Sequence, residues 1–198
     1  MQSYCNHLYD ESTDGYIQIF NLDENKKAKV YNTKVNGLRD IVEEIEEQLD
    51  FFITPNTFFK PQRQVNNIRQ FRALFMDLDT GEGDKQFAAY KVFELAEEGL
   101  IPRPTMIVDS GRGIHVYWRI KNAPYQALNT WQELQDLFYT KLKPLGADIR
   151  ATDGARILRL PNTINSRNNV ECRVIWQDNE AEYSMYDLRE QYLNDNYK

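Results

Sequence analysis

The chain has 198 residues, two cysteines, two histidines and a formal net charge of −6. That inventory excludes a zinc ribbon or finger and a disulfide framework. Hydrophobic residues make up 41%, enough for the core of one domain, yet no segment approaches the apolar length of a membrane span.

Residues 1–5 lack the basic start and apolar run of a secretory signal, so a reducing, cytoplasmic setting is expected. Apolar alternation predicts strands at 16–20 and 28–33, with a turn at 23–26. Leu38, Ile41, Val42, Ile45 and Leu49 recur at helical spacing and predict an amphipathic helix over 38–49. A short buried strand is expected at 51–53, ended by Thr54-Pro55-Asn56. Residues 65–71 read as a short helix and 73–78 as a strand. A helix follows over 84–100, closed by Gly99 and Pro102. Strands at 105–108 and 114–120 are joined as a hairpin by Ser110-Gly111-Arg112-Gly113. A long helix is expected over 125–142, then strands at 156–160 and 170–176. A terminal helix at 185–193 lies within a helical tail at 183–195. Helices mixed with hairpin-linked strands predict an α+β chain whose mixed or antiparallel central sheet is flanked by helices. One domain is expected over 1–198, made of a strand–strand–helix region at 1–50, a core at 51–176 and the tail.

The negative total argues against nucleic acid, but the distribution argues the other way. Residues 58–73 carry Lys60, Arg63, Arg69 and Arg72 and no acid. Residues 101–173 are also net basic, while acids gather at 43–50, 94–98 and 178–195. A basic cleft on an acidic body fits this pattern. Uneven charge on solvated faces is the plainer alternative.

Three motifs carry chemistry. Asp77 and Asp79 lie two residues apart in the apolar run Phe75-Met76-Asp77-Leu78-Asp79. In a strand they share one face, where two carboxylates repel and are costly to desolvate. Divalent cations relieve that cost; an isolated pair would sooner be acids capping the following turn at 80–83, and it is the motifs that follow which favour the metal. The second motif is Ser110-Gly111-Arg112-Gly113 followed by His115. Its glycines allow a sharp turn, and its backbone N–H groups can hold phosphate. Tyr117 and Arg119 fall on the same strand face as His115. The third is Asp148-Ile149-Arg150, then Asp153, then Arg156-Ile157-Leu158-Arg159-Leu160-Pro161, Asn162, Asn165 and Arg167. Its arginines suit phosphates; an exposed edge strand is the alternative. Arg156 and Arg159 differ by three, so in a regular strand they face opposite ways unless a bulge intervenes.

In this order and with these residue types, the motifs resemble those of the archaeo-eukaryotic primase superfamily, the primase-polymerases. The similarity is greatest to primases of bacterial plasmids, phages and other mobile elements, and covers about residues 51–176. The resemblance implies that Asp77, Asp79 and a third carboxylate are catalytic ligands of two Mg²⁺ or Mn²⁺ ions. Asp148 fits the third position by its distance from Arg156 and Arg159, with Asp153 as the other candidate. It implies that Ser110, Gly111, Arg112, Gly113, His115, Arg156 and Arg159 bind the incoming nucleotide. Asn162 stands where the family often has Gly, and Arg167 where it often has Lys. Asn is among the residues that tolerate positive φ, and Arg keeps the charge.

The reading is a template-dependent nucleotidyltransferase that makes primers for a mobile element's replication. Lys60, Arg63, Arg69, Arg72, Tyr117, Arg150, Asn165 and Arg167 would meet the nucleic acid. The expected partners are nucleoside triphosphates, a single-stranded DNA template and, in a longer protein, a helicase or helical priming domain. A primer-extending repair polymerase and a non-catalytic replication-initiator module are the rivals.

Overall fold

A computed structural model describes residues 2–23, 25, 27–81 and 83–194. The expected turns at 23–26 and 80–83 each include residues outside that set (Glu24, Lys26, Glu82), as does Asp195 of the tail. The first element, helix α1 (Gln2–Leu8), has no counterpart in the expectations. It is seven residues long, too short for a periodic signal. Strands β1 (Ile17–Leu22) and β2 (Ala28–Thr33) form the first hairpin. Helix α2 (Val35–Glu44) stops well short of 49. Glu47 and Asp50 adopt positive φ of 63° and 56°, which turns the chain back, and Leu49 is 52% exposed. Strands β3 (Phe51–Ile53) and β4 (Thr57–Phe58) follow.

The helix expected at 65–71 is a single 3₁₀ turn at Val65–Asn67, after which β5 (Ile68–Asp79) begins. Gln70 and Arg72 break the apolar pattern but turn inward to partners, so a long strand forms where polarity pointed elsewhere. Helix α3 (Lys85–Glu97) is N-capped by the Asp84 side chain. Strands β6 (Met106–Asp109) and β7 (Gly113–Pro124) make the expected hairpin. Helix α4 (Leu128–Leu142) follows a 3₁₀ turn at Tyr125–Ala127. The strand expected at 156–160 is only β8 (Leu158–Arg159). The one expected at 170–176 is divided between β10 (Val170–Glu171), which pairs with β9 (Ile164–Asn165), and β11 (Arg173–Gln177). Cys172 is the point of division. Its N–H and C=O bond to Thr163 and Asn162, off the main sheet. Helix α5 (Met185–Tyr192) comes last.

All named strand pairs are antiparallel, in an α+β arrangement. The five-stranded sheet runs β11-β6-β7-β5-β4 and the four-stranded one β2-β1-β3-β8. β5 is the key element. Residues 71–76 are buried on both faces, but β4 covers only the start of its outer edge. An uncovered edge leaves polar backbone groups needing partners. Helix α4 supplies them next: Trp131 Nε1 donates to the Ala73 carbonyl at 2.9 Å, and the Gln135 amide meets both N–H and C=O of Phe75 at 2.9 and 3.0 Å. Segment 146–148 supplies them last. Asp148 N–H donates to Asp77 C=O at 2.9 Å and Asp79 N–H to Gly146 C=O at 3.0 Å. Closing one strand edge therefore brings a third acidic residue beside the first two. Among the described residues no helix is long and apolar enough to cross a membrane.

Candidate active site

Asp77 and Asp79 end β5 on one face, opposite His115 and Gly113 of β7. His115 Nε2 lies 3.6 Å from Asp77 Oδ1. A Cβ on Gly113 would sit 1.9 Å from the Leu78 carbonyl oxygen, so only glycine lets the hairpin close against the strand end. The hairpin is anchored from behind. Lys85 Nζ donates to both carboxylate oxygens of Asp109 at 2.8 and 2.7 Å, and Asp109 accepts the Gly111 N–H at 2.8 Å. Ser110 N–H is taken by the Gly113 carbonyl. The phosphate cradle expected of this turn thus loses two of its backbone donors to the turn itself.

Asp77, Asp79 and Asp148 line a single cleft of about 460 Å³ together with Ser110, Arg112, Gly113 and His115. It is also lined by Arg156, Arg159, Arg63, Phe52, Leu22, Arg150, Asn165 and Arg167. Residues 156–159 all face it, because β8 is too short for alternation to matter. No bulge is needed to bring both arginines to one place. Asn162 holds φ 60°, the conformation for which glycine or asparagine is suited.

Burial pushes the His115 imidazole below its ordinary pKa, while Asp77 pulls the other way; a neutral ring follows. Its Nδ1 is buried with no hydrogen-bond partner among the described residues. Arg150 holds the Asp148 carboxyl below the usual range through side-chain hydrogen bonds, against a smaller upward push from burial. Arg112 reaches Asp79 at 3.4 Å. Arg156 and Arg159 of the third motif differ. Arg159 Nη1 donates to Asp50 at 2.7 Å, and Ser166 closes the far side of that carboxylate. Arg156 has no ion-pair partner among the described residues, and its Nε is buried and unbonded. Of these two, Arg156 is therefore the guanidinium left to meet an anion.

Several expected residues lie elsewhere. Arg72 is 1% exposed, donates to Leu8 C=O and pairs with Asp10 at 2.8 Å; a nucleic-acid backbone has no access to it. Tyr117 does share its face with His115, but α1 covers it: the ring is fully buried and its hydroxyl meets that of Tyr4 at 3.2 Å, so it offers no stacking surface. Arg119 is likewise tied to Asp10 and Glu182. Arg69 pairs with Asp14, and neither it nor Lys60 lines the cleft. Gly111 turns at φ 96° against Asn165, behind the lining. Asn165 is 3% exposed and donates to the Ser110 carbonyl, joining the third motif to the second. The sequence reading missed Asp50, Phe52 and Leu22. Asp50 was placed in a solvated acidic helix face, and only its position directly before a buried strand hinted otherwise.

The donor set at the strand end is carboxylate oxygen without a thiolate, which suits a hard cation such as Mg²⁺ or Mn²⁺. Among the described residues no three acidic, histidine or cysteine side chains converge as a ready-made metal cluster. Arg112 and Arg150 are the charges that balance Asp79 and Asp148 here.

No family model matches the chain. A curated replication protein of Clostridium perfringens is 35% identical over 192 residues, which is 96% of this chain but 45% of that protein. The chain therefore spans less than half of that relative's length. The solved AEP domain of the cyanophage S-2L primase-polymerase superposes with a TM-score of 0.64 at 19% identity, covering 96% of this chain and 94% of that one. The catalytic domain of the primase RepB′, solved in complex with initiator DNA, gives 0.59 at 12% identity over 89% and 84%. The likeness read from the three motifs thus has its structural counterpart: the chain has the catalytic-domain fold of the archaeo-eukaryotic primase superfamily, the primase-polymerases.

Proposed function

We propose that the chain is a nucleotidyltransferase that makes primers on single-stranded DNA for replication of a mobile element, with 1–198 as one catalytic domain. The observation that carries this is the edge of β5, where backbone pairing sets Asp148 beside Asp77 and Asp79 within a cleft that otherwise presents cations. The relative named as a replication protein and the RepB′ domain bound to initiator DNA support it.

Asp77, Asp79 and Asp148 would hold two Mg²⁺ or Mn²⁺ ions. When bound, these supply Lewis-acid activation of a 3′-hydroxyl and charge neutralisation at the departing pyrophosphate. The protein's own groups then position the reactants. His115, neutral and with one nitrogen unbonded, donates to a phosphate oxygen, and Arg112 and Arg156 neutralise the triphosphate. Arg159, already paired with Asp50, lines the nucleotide's path. Arg63, Arg150 and Arg167 meet the template, and buried Asn165 ties the third motif to the Gly turn behind them. In a longer protein, a helicase or helical priming domain would be the partner of this unit.

A calorimetric titration with Mn²⁺ and a nucleoside triphosphate tests the binding half of the proposal. A primer-synthesis assay on single-stranded DNA then separates starting a chain from extending one. Extension without initiation would favour the repair-polymerase reading; nucleotide-independent DNA binding alone would favour the initiator module.

A further inference from the structure

The four-stranded sheet sets three residues in a row across its strands. Phe20 of β1 stands opposite Phe52 of β3, and Phe52 stands opposite Arg159 of β8. Directly opposed residues share a sheet face. The Arg159 guanidinium lies over the Phe52 ring, 4.6 Å from its centroid, and the Arg63 guanidinium lies over the Phe20 ring at 5.5 Å. Each guanidinium is also tethered. Arg159 Nη1 donates to Asp50 at 2.7 Å and Arg63 Nη1 to the Ala155 carbonyl at 2.8 Å. Phe52, Arg63 and Arg159 all line the cleft that holds the three aspartates.

We propose that this row is a stacking platform for a nucleobase. The inference rests on the nucleotidyl-transfer reading of the cleft and adds the subsite that reading leaves open. A nucleotide has an anionic end and a flat, aromatic end. The aspartates, His115, Arg112 and Arg156 serve the first. The second needs a flat, weakly hydrated surface, and guanidinium planes backed by phenyl rings provide it. The Asp50 partner decides between the two uses of Arg159. A guanidinium already neutralised by a carboxylate at 10% exposure attracts phosphate weakly, yet its face keeps its stacking capacity. Asp50 is thus a positioning residue: with Ser166 it fixes the plane of Arg159.

The base comes either from the incoming nucleotide or from the template, and one set of titrations distinguishes them. Intact protein is titrated at fixed Mg²⁺ with a nucleoside triphosphate and with inorganic tripolyphosphate, then with a single-stranded oligonucleotide and with its abasic counterpart. Phe52→Leu keeps the apolar volume, and Arg63→Gln alters an exposed side chain, so folding is preserved and is checked by melting temperature. Weakening the platform in one or both variants lowers affinity for the base-bearing ligand about fivefold more than for tripolyphosphate or the abasic strand, which at Arg63→Gln lose only the share due to its charge. A loss in the nucleotide arm identifies the incoming base, and a loss in the oligonucleotide arm the template base. No change in either arm, or equal loss for ligands with and without bases, overturns the proposal. Incorporation by Asp77→Ala is measured in parallel. If it stays at wild-type rate, the catalytic reading fails, independently of what the platform binds.

Discussion

Asp148 is joined to Asp77 by backbone before any side chain is considered: its N–H donates to the Asp77 carbonyl at 2.9 Å. The spacing of the third carboxylate from the first two is therefore set by strand-edge geometry and not by a flexible loop. Asp153, five residues on, caps the Ala155 N–H at 3.0 Å and does not line the cleft. Asp148→Asn should then be as damaging to nucleotide incorporation as Asp77→Asn, with Asp153→Asn mild. Steady-state incorporation rates for the three variants check this, and the reverse ranking would mean the wrong acid has been assigned.

His115 should act on the nucleotide and not on the template. It stands across β5 and β7 from Asp77, its side chain almost wholly buried and its Nδ1 without a partner. Removing one hydrogen bond to a charged phosphate costs about 1.5–3 kcal/mol, so His115→Ala should lower kcat/KM by roughly tenfold to a hundredfold. Most of the loss should be in KM. Single-stranded DNA affinity without nucleotide should be unchanged; an equal fall there would place His115 on the template side.

How much of this was legible in the sequence depended on whether local pattern or distant partners decided the outcome. The hairpin at 110–113 and the shared face of Asp77 and Asp79 follow from glycine placement and strand period, and both were readable. The role of Arg72 was not. It sits in a run of cations without acids, but its counter-ion is Asp10, 62 residues earlier. Tyr117 was placed on the correct face, yet the helix that covers it is too short to announce itself. Asp50 looked like the end of an acidic helix until the positive φ at Glu47 and Asp50 turned it toward Arg159. In each case the missing information was a contact between segments far apart in the chain.

The Asp10–Arg72 pair makes a stability prediction with a defined pH window. Burial pushes the Asp10 carboxyl up, but hydrogen bonds from Ser12 and Arg72 outweigh it and bring its pKa to about 2. A depressed carboxyl pKa stabilises the fold above its unfolded value of roughly 4, and the gain is lost as pH falls towards 2. With the carboxylate about a third exposed, solvent screening leaves about 1 kcal/mol of this at neutral pH, at about 2–4 °C of melting temperature per kcal/mol. Asp10→Asn should therefore melt roughly 2–4 °C below wild type at pH 7. The gap should narrow steadily between about pH 4 and pH 2. A gap independent of pH would show that the pair contributes through shape alone.

On the proposed reading the template would run along the cleft, which Arg63 alone of the cations in the run 60–72 lines. Arg69 is paired with Asp14, whereas Arg150 and Arg167 line the cleft, and Arg150 keeps 82% of its side chain exposed. With a net charge of −6, attraction must be local. Replacing Arg150 and Arg167 by Gln should make the log–log salt dependence of single-stranded DNA binding shallower by about 1.4 units, at about 0.7 per phosphate. Arg69→Gln should leave the slope as it is. The opposite result would return the path to the segment before β5.

The most direct test of the account is metal-dependent nucleotide incorporation on a single-stranded DNA template, comparing wild type with Asp77→Asn, Asp79→Asn and Asp148→Asn. The account predicts template-directed products with Mg²⁺ or Mn²⁺, none with chelator, and none above background in any of the three variants while each still unfolds cooperatively, with Asp148→Asn melting slightly below wild type because it loses the Arg150 pair. Wild-type incorporation by any one of them would contradict it.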